Sequence, residues 1–258
     1  MIDTNTKGIE SCVVPLCYQK RGDSVTLFGS SVYISVEGRY FLLTAAHVFI
    51  DTPSALLLPR EDDFITIPTT DFVADKNDSI DIAVCELASP LSRFQPLSIN
   101  QFINYRLAPS NMKLIAVGYP GTKTDSFAGS AKSILKKYVS NESDKQTYVD
   151  LKATVAENIV IDFDKNKVMS RDAMERTFPN PNGMSGGGLF WMHKEGLLRR
   201  TEPKLVGILT RWDARQKKYM VSTQIRAAAK TLEVKFGLRE IPSYLSRGVR
   251  MRMDSKPK

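Results

Sequence analysis

Residues 180–193 read NPNGMSGGGLFWMH. Four glycines and one serine fall within Gly183–Gly188, and the run leads straight into Leu189, Phe190 and Trp191. Glycine gives a backbone access to conformations that a Cβ hinders. The pattern therefore displays one hydroxyl, that of Ser185, on a tight loop anchored by an apolar strand. A serine hydroxyl is a weak nucleophile until a base takes its proton. Histidine titrates near neutrality and is the usual base. The chain has two, His47 and His193.

GMSGG also fits the G-x-S-x-G elbow of proteins that alternate helices and strands. That arrangement needs the order serine, acid, histidine, with the histidine well downstream. His193 follows Ser185 by only eight residues and leaves no room for the acid. The order histidine, acid, serine remains. His47 ends the apolar run FLLTAAH, and Asp81 opens DIAV within NDSIDIAV. Asp78 stands three residues earlier and reads as a surface acid.

The rest of the chain reads as many short strands. SCVVPLC, TLFGSSVYISV, RYFLLTAA, ITIPTTDFVA and DIAVCEL fill the first half. MKLIAVGYPG, SILKKYVS, TYVDLKAT, NIVIDFD, KVMS, GGGLFWM, PKLVGILTRW and KYMVSTQI fill the second. They are rich in β-branched and aromatic residues and separated by turn signals, which argues for an all-β sandwich or barrel. Residues 89–111, with three prolines, read as a connector. One segment has helical periodicity: Ile225, Ala228, Ala229, Leu232 and Phe236 recur on one face, with Gly237 as the stop. The expected organisation is residues 1–100 as a first β-barrel, 101–225 as a second, and 226–258 as a terminal helix and basic tail.

Composition narrows the class. The chain has 258 residues, 42% hydrophobic and 25% charged, enough for a real core. No apolar run approaches the ~18 residues that span a bilayer, and the N-terminus carries no secretory pattern. Cys12, Cys17 and Cys85 form neither a disulfide framework nor a metal-binding spacing. These features suggest a cytoplasmic protein without metal or cofactor. The net charge is +8, and nine Lys/Arg against three acids lie from Arg226 onward. The excess is a C-terminal feature, a solvated face or a docking tail for an acidic partner.

Taken together, FGSSVYIS, TAAH, DIAV and GMSGG resemble the trypsin/chymotrypsin-like serine peptidases, from about Gly29 to Ile225. His47 and Asp81 stand 34 residues apart, and Asp81 and Ser185 stand 104 apart, both ordinary for that family. The resemblance implies two antiparallel six-stranded β-barrels with a C-terminal helix. It implies a triad in which Ser185 attacks, His47 carries the proton and Asp81 orients the imidazole. It implies an oxyanion hole from the Gly183 and Ser185 N–H groups, and a Thr210 hydroxyl that supports Asp81. The substrate pocket falls at Pro179, Thr210, Arg211, Trp212 and Met220. With Pro179 where trypsin has its selecting aspartate, a basic side chain is not preferred, and a small or medium apolar one is.

The sequence departs from the secreted members. Met184 replaces the aspartate that pairs with a newly cut N-terminal amine, so activation by N-terminal cleavage is not expected. Val48 follows the histidine where those members have a disulfide cysteine. The expected activity is that of a serine endopeptidase on peptide or protein substrates, either preformed or gated by an activating partner. The alternative is a module of the same fold that grips a peptide and cleaves little.

Overall fold

The computed structural model describes residues 7–19, 25–51, 55–60, 63–75, 80–108, 112–121, 134–164, 178–193, 202–213 and 218–249. Its strands are β1 (Val13–Gln19), β2 (Val25–Val36), β3 (Arg39–Thr44), β4 (Ala55–Arg60), β5 (Asp63–Pro68), β6 (Phe72–Asp75), β7 (Ile82–Leu87) and β8 (Leu97–Ser98), then β9 (Met112–Gly118), β10 (Lys136–Ser140), β11 (Asn158–Asp162), β12 (Gly188–His193), β13 (Lys204–Trp212) and β14 (Tyr219–Gln224). The helices are α1 (Lys7–Glu10), α2 (Ala46–Ile50), α3 (Lys145–Asp150), α4 (Ile225–Phe236) and α5 (Ser243–Ser246).

The strands form two antiparallel sheets curled into half-barrels. The first runs β5-β4-β1-β2-β3-β7-β6, with the short β8 pairing in parallel beside β2. The second runs β10-β9-β12-β13-β14-β11. The chain just past β10 returns to β11, where Asp162 N–H donates to Asn141 O (3.2 Å) and Ser143 N–H to Val160 O (2.9 Å), drawing the second sheet into a ring.

Alternation within each strand explains why these runs are apolar almost without interruption. Successive side chains point to opposite faces, and here both faces are buried. Val32, Ile34, Phe41, Leu43, Ile82 and Val84 of the first sheet meet Ile115, Val117, Phe190, Met192, Leu205 and Ile208 of the second in one shared core. The residues between them turn inward instead. Tyr33, Leu42, Ala83 and Cys85 line a core private to the first sheet, and Leu114, Ala116, Leu189 and Val206 one private to the second.

Helix α4 covers the shared core. Ala228, Ala229 and Leu232 are fully buried in it, and the helix touches β7, β13 and β14. The helical reading of 225–236 holds, with Gly237 at φ +68° as its left-handed cap. Arg39 fastens its far end: the guanidinium holds Glu86 through two bonds (2.6 and 2.7 Å) and donates to Phe236 O (2.9 Å). Among the described residues, no helix is long and apolar enough to cross a membrane.

Some local readings change. TYVDLKAT is not a strand: its first half lies in α3, because the Asp144 carboxylate caps that helix by accepting from Thr147 N–H (2.8 Å) and Thr147 Oγ1 (2.9 Å). ALLLPR forms β4. The connector contains β8 and two 3-10 turns, Ile99–Gln101 and Tyr105–Leu107. KVMS and Asp78 lie outside the described residues, as does most of the basic tail.

Because α4 closes the core between the sheets, Leu232→Ala is expected to lower stability by about 2–5 kcal/mol. Urea unfolding monitored by tryptophan fluorescence measures it, and a loss below about 1 kcal/mol would contradict this placement.

Candidate active site

β3 ends at Thr44 and the chain turns at once into α2, which places His47 on the first turn of that helix. Asp81 stands directly before β7, which pairs with β3. The pairing therefore brings the two residues together. Asp81 O accepts from Ala46 N–H (3.2 Å), its Oδ1 accepts from His47 N–H (3.0 Å), and its Oδ2 accepts from His47 Nδ1–H (2.7 Å). Three bonds thus fix the aspartate to the first turn of α2. They hold it at φ +42°, in the left-handed region that costs a non-glycine residue on the order of 1 kcal/mol or more. A carboxylate can only accept, so the Nδ1 proton is assigned to this bond and Nε2 of the neutral ring is left with its lone pair.

Burial depresses the His47 pKa, while the hydrogen bond it donates to Asp81, the Asp81 charge and that of Asp51 raise it. The net direction is upward from the ordinary imidazole value. The imidazole remains 41% exposed, and the Asp81 side chain 22%, so one edge of the ring is open to a ligand.

Ser185 comes from the other sheet, on the loop that enters β12. Two of its glycines are required by geometry. Gly183 has φ +92°, and a Cβ there would lie 2.8 Å from both Gly121 N and Tyr119 O. Gly186 has φ +85°, and its Cβ would lie 1.9 Å from Ser30 O. The loop is bonded from outside: Gly186 N–H donates to Leu209 O (2.6 Å), Ser30 N–H to Ser185 O (2.8 Å) and Ser30 Oγ to Gly183 O (2.8 Å). Met184 N–H donates to Pro181 O (2.9 Å). The Gly183 and Ser185 N–H groups have no acceptor among the described residues. Met184 itself is buried in the core of the second sheet.

The Ser185 hydroxyl donates to Thr210 O at 3.3 Å, a long contact, and not to His47. The expected Thr210 support is corrected here. Its own hydroxyl donates to Val221 O (3.2 Å), because Thr210 sits where the β13–β14 register shifts, and Asp81 takes its bonds from Ala46 and His47 instead.

Beside Ser185 lies a cleft lined by Pro181, Met184, Leu209, Arg211, Trp212 and Met220. Of the five expected pocket residues, Arg211, Trp212 and Met220 line it. Pro179 and Thr210 do not, while Pro181 and Leu209 do. Its free volume is about 10 Å³, room for about one water. Trp212 Nε1–H donates to Asn182 Oδ1 (2.8 Å) across its mouth. Arg211 donates to Leu151 O (2.8 Å), which ties its guanidinium to the segment after α3. Sequence reading also passed over Ser30, whose only signal was a pair of small polar residues inside an apolar strand.

The raised His47 pKa has a definite sign. The folded state binds the proton more tightly than the unfolded one, so the pair adds stability below about pH 6.5, and this is lost as pH rises through the folded value. An NMR titration of His47 is expected to give a midpoint above the ordinary histidine value of about 6.5. In Asp81→Asn the midpoint should fall, since burial then acts almost alone; an unchanged midpoint would contradict the assignment.

No family profile matches the chain, and no curated protein matches it. Solved structures do. The HtrA-type protease AlgW with tripeptide aligns over 92% of this chain and 65% of its own, with a TM-score of 0.54 and 17% identity. The structure of GrC aligns over 91% and 96%, with a TM-score of 0.55 and 16% identity. The chain therefore spans just under two thirds of the length of the HtrA-type protein. Its two half-barrels and terminal helix have the fold of the trypsin/chymotrypsin-like serine peptidases.

Proposed function

We propose that the protein is a serine endopeptidase whose triad is His47, Asp81 and Ser185. The observation that carries this reading is the 2.7 Å bond from His47 Nδ1–H to Asp81 Oδ2, made on one sheet beside a serine loop that the other sheet presents. In the proposed reaction Ser185 Oγ turns from Thr210 O toward His47 Nε2 and attacks the carbonyl carbon of the peptide. His47 takes the hydroxyl proton, and the new imidazolium is stabilised by the Asp81 carboxylate. The carbonyl oxygen becomes an oxyanion that the Gly183 and Ser185 N–H groups receive. When the C–N bond breaks, His47 gives its proton to the leaving amine. Water then attacks the acyl-enzyme, with His47 again as base, and frees Ser185.

The cleft beside Ser185 supports a small side chain before the cut bond. It holds no acid, and Trp212 and Met220 narrow it. The three cysteines are buried free thiols, each pushed up to about 12 chiefly by burial, which leaves them unreactive packing residues. A second reading keeps the fold as a peptide-gripping module opened by a partner. The contact of Ser185 Oγ with Thr210 O rather than His47 favours it. The basic C-terminal segment would then serve an acidic partner.

A positional peptide library tests both. Wild type is expected to cleave after Ala, Gly or Ser, and Ser185→Ala to cleave nothing. Asp81→Asn should lower kcat by roughly 10⁴-fold. Trp212→Gly should extend cleavage to larger apolar residues. Dominant cutting after Lys or Arg would contradict the pocket assignment, and activity in Ser185→Ala would contradict the nucleophile.

A further inference from the structure

Ser30 lies in the middle of β2, on the sheet that carries His47, and is fully buried. All of its hydrogen-bonding groups are engaged. Its N–H donates to Ser185 O (2.8 Å), and its carbonyl accepts from Thr44 Oγ1 (2.8 Å). Its hydroxyl donates to Gly183 O (2.8 Å) and accepts from Tyr119 N–H (2.9 Å). One side chain thus joins two separate stretches of the second half, the serine loop and the turn after β9.

The bonds around it have a consequence for direction. In a trans peptide the C=O and the following N–H point opposite ways, so fixing a carbonyl aims the next N–H. Asn182 O accepts from Gly121 N–H, two residues past Tyr119, which fixes the peptide that bears Gly183 N–H. Met184 O accepts from Gly187 N–H (2.9 Å), which fixes the peptide that bears Ser185 N–H. Gly183 O and Ser185 O, the carbonyls in between and after, are both held by Ser30. Four successive carbonyls are pinned, and two N–H groups are left without a partner among the described residues. The Ser30 hydroxyl connects the pins, because the same oxygen that holds Gly183 O also holds the Tyr119 backbone leading to Gly121.

We propose that Ser30 is a positioning residue: its hydroxyl holds the loop 182–187 in the form that aims the Gly183 and Ser185 N–H groups at one oxyanion. The inference rests on the peptidase reading above and deepens it. The loop is held by neutral hydrogen bonds and the buried Met184 side chain, in place of an ion pair to a cut N-terminus. The assembled site then needs no cleavage of this chain.

The test uses the full chain, the best peptide of the library, and a peptide boronate with the same residue, which forms a tetrahedral adduct on the serine. Ser30→Ala is expected to lower kcat and boronate affinity by the same factor, on the order of 10- to 100-fold, with KM unchanged, since misaimed donors fail only the charged tetrahedral species. Ser31→Ala is the control. Its hydroxyl donates to Val14 O (3.2 Å), is equally buried and is one residue away, so its loss should lower stability without moving boronate affinity. Ser30→Cys, which retains a weaker donor of similar shape, should fall between Ser30→Ala and wild type and covers a failure of the alanine variant to fold. The proposal is overturned if an active Ser30→Ala enzyme keeps its boronate affinity, or if its loss appears in KM, or if Ser31→Ala loses as much. Wild type that neither cleaves nor binds the boronate would instead overturn the peptidase reading, and this inference with it.

Discussion

A Cβ on Gly186 would sit 1.9 Å from the Ser30 carbonyl oxygen. That closeness between a strand of the first sheet and a loop of the second is the constraint on which the site depends. It requires glycine on one side and a small, fully bonded residue on the other. Ser30 meets the second demand with four hydrogen bonds while fully buried. A buried polar group is tolerated only when satisfied, so the junction is closed on itself.

The two sheets contribute different chemistry across this junction. The first supplies the imidazole and its carboxylate, held by local bonds between α2 and the residue before β7. The second supplies the hydroxyl and the donor loop. Neither half alone carries the whole of the proposed site, and both sheets and α4 share one apolar core. The strained φ of Asp81 lies here, as do the positive φ angles that Gly183 and Gly186 supply without strain.

Much of this was legible in the residues. Histidine is rare in the chain, and its place after an apolar strand, followed by DIAV and GMSGGG in one order, pointed to His47 and Asp81, which the fold bonds together, and to the serine loop, which bonds to β2. The terminal helix was legible because its apolar stripe and Gly237 agree. What was not legible depends on partners far away in sequence. The Thr210 hydroxyl turns to Val221 because the ladder shifts register at that residue. Residues 147–150 carry strand-forming Thr, Tyr and Val, yet the cap from Asp144 makes them helical. Pro181 rather than Pro179 lines the cleft, and it is the residue whose carbonyl closes the turn at Asn182–Gly183 by accepting from Met184 N–H. Ser30 lies within FGSSVYIS, but which partners its hydroxyl takes is set only by the folded contacts.

The claim at the centre is that Ser185 is a nucleophile activated by His47. Incubation of the purified protein with a serine-reactive fluorophosphonate, followed by intact-mass analysis and peptide mapping, tests it most directly. One adduct is expected, on Ser185, formed by wild type and absent in Ser185→Ala and His47→Ala. A folded wild type that forms no adduct, or an adduct that persists in His47→Ala at the wild-type rate, would contradict it.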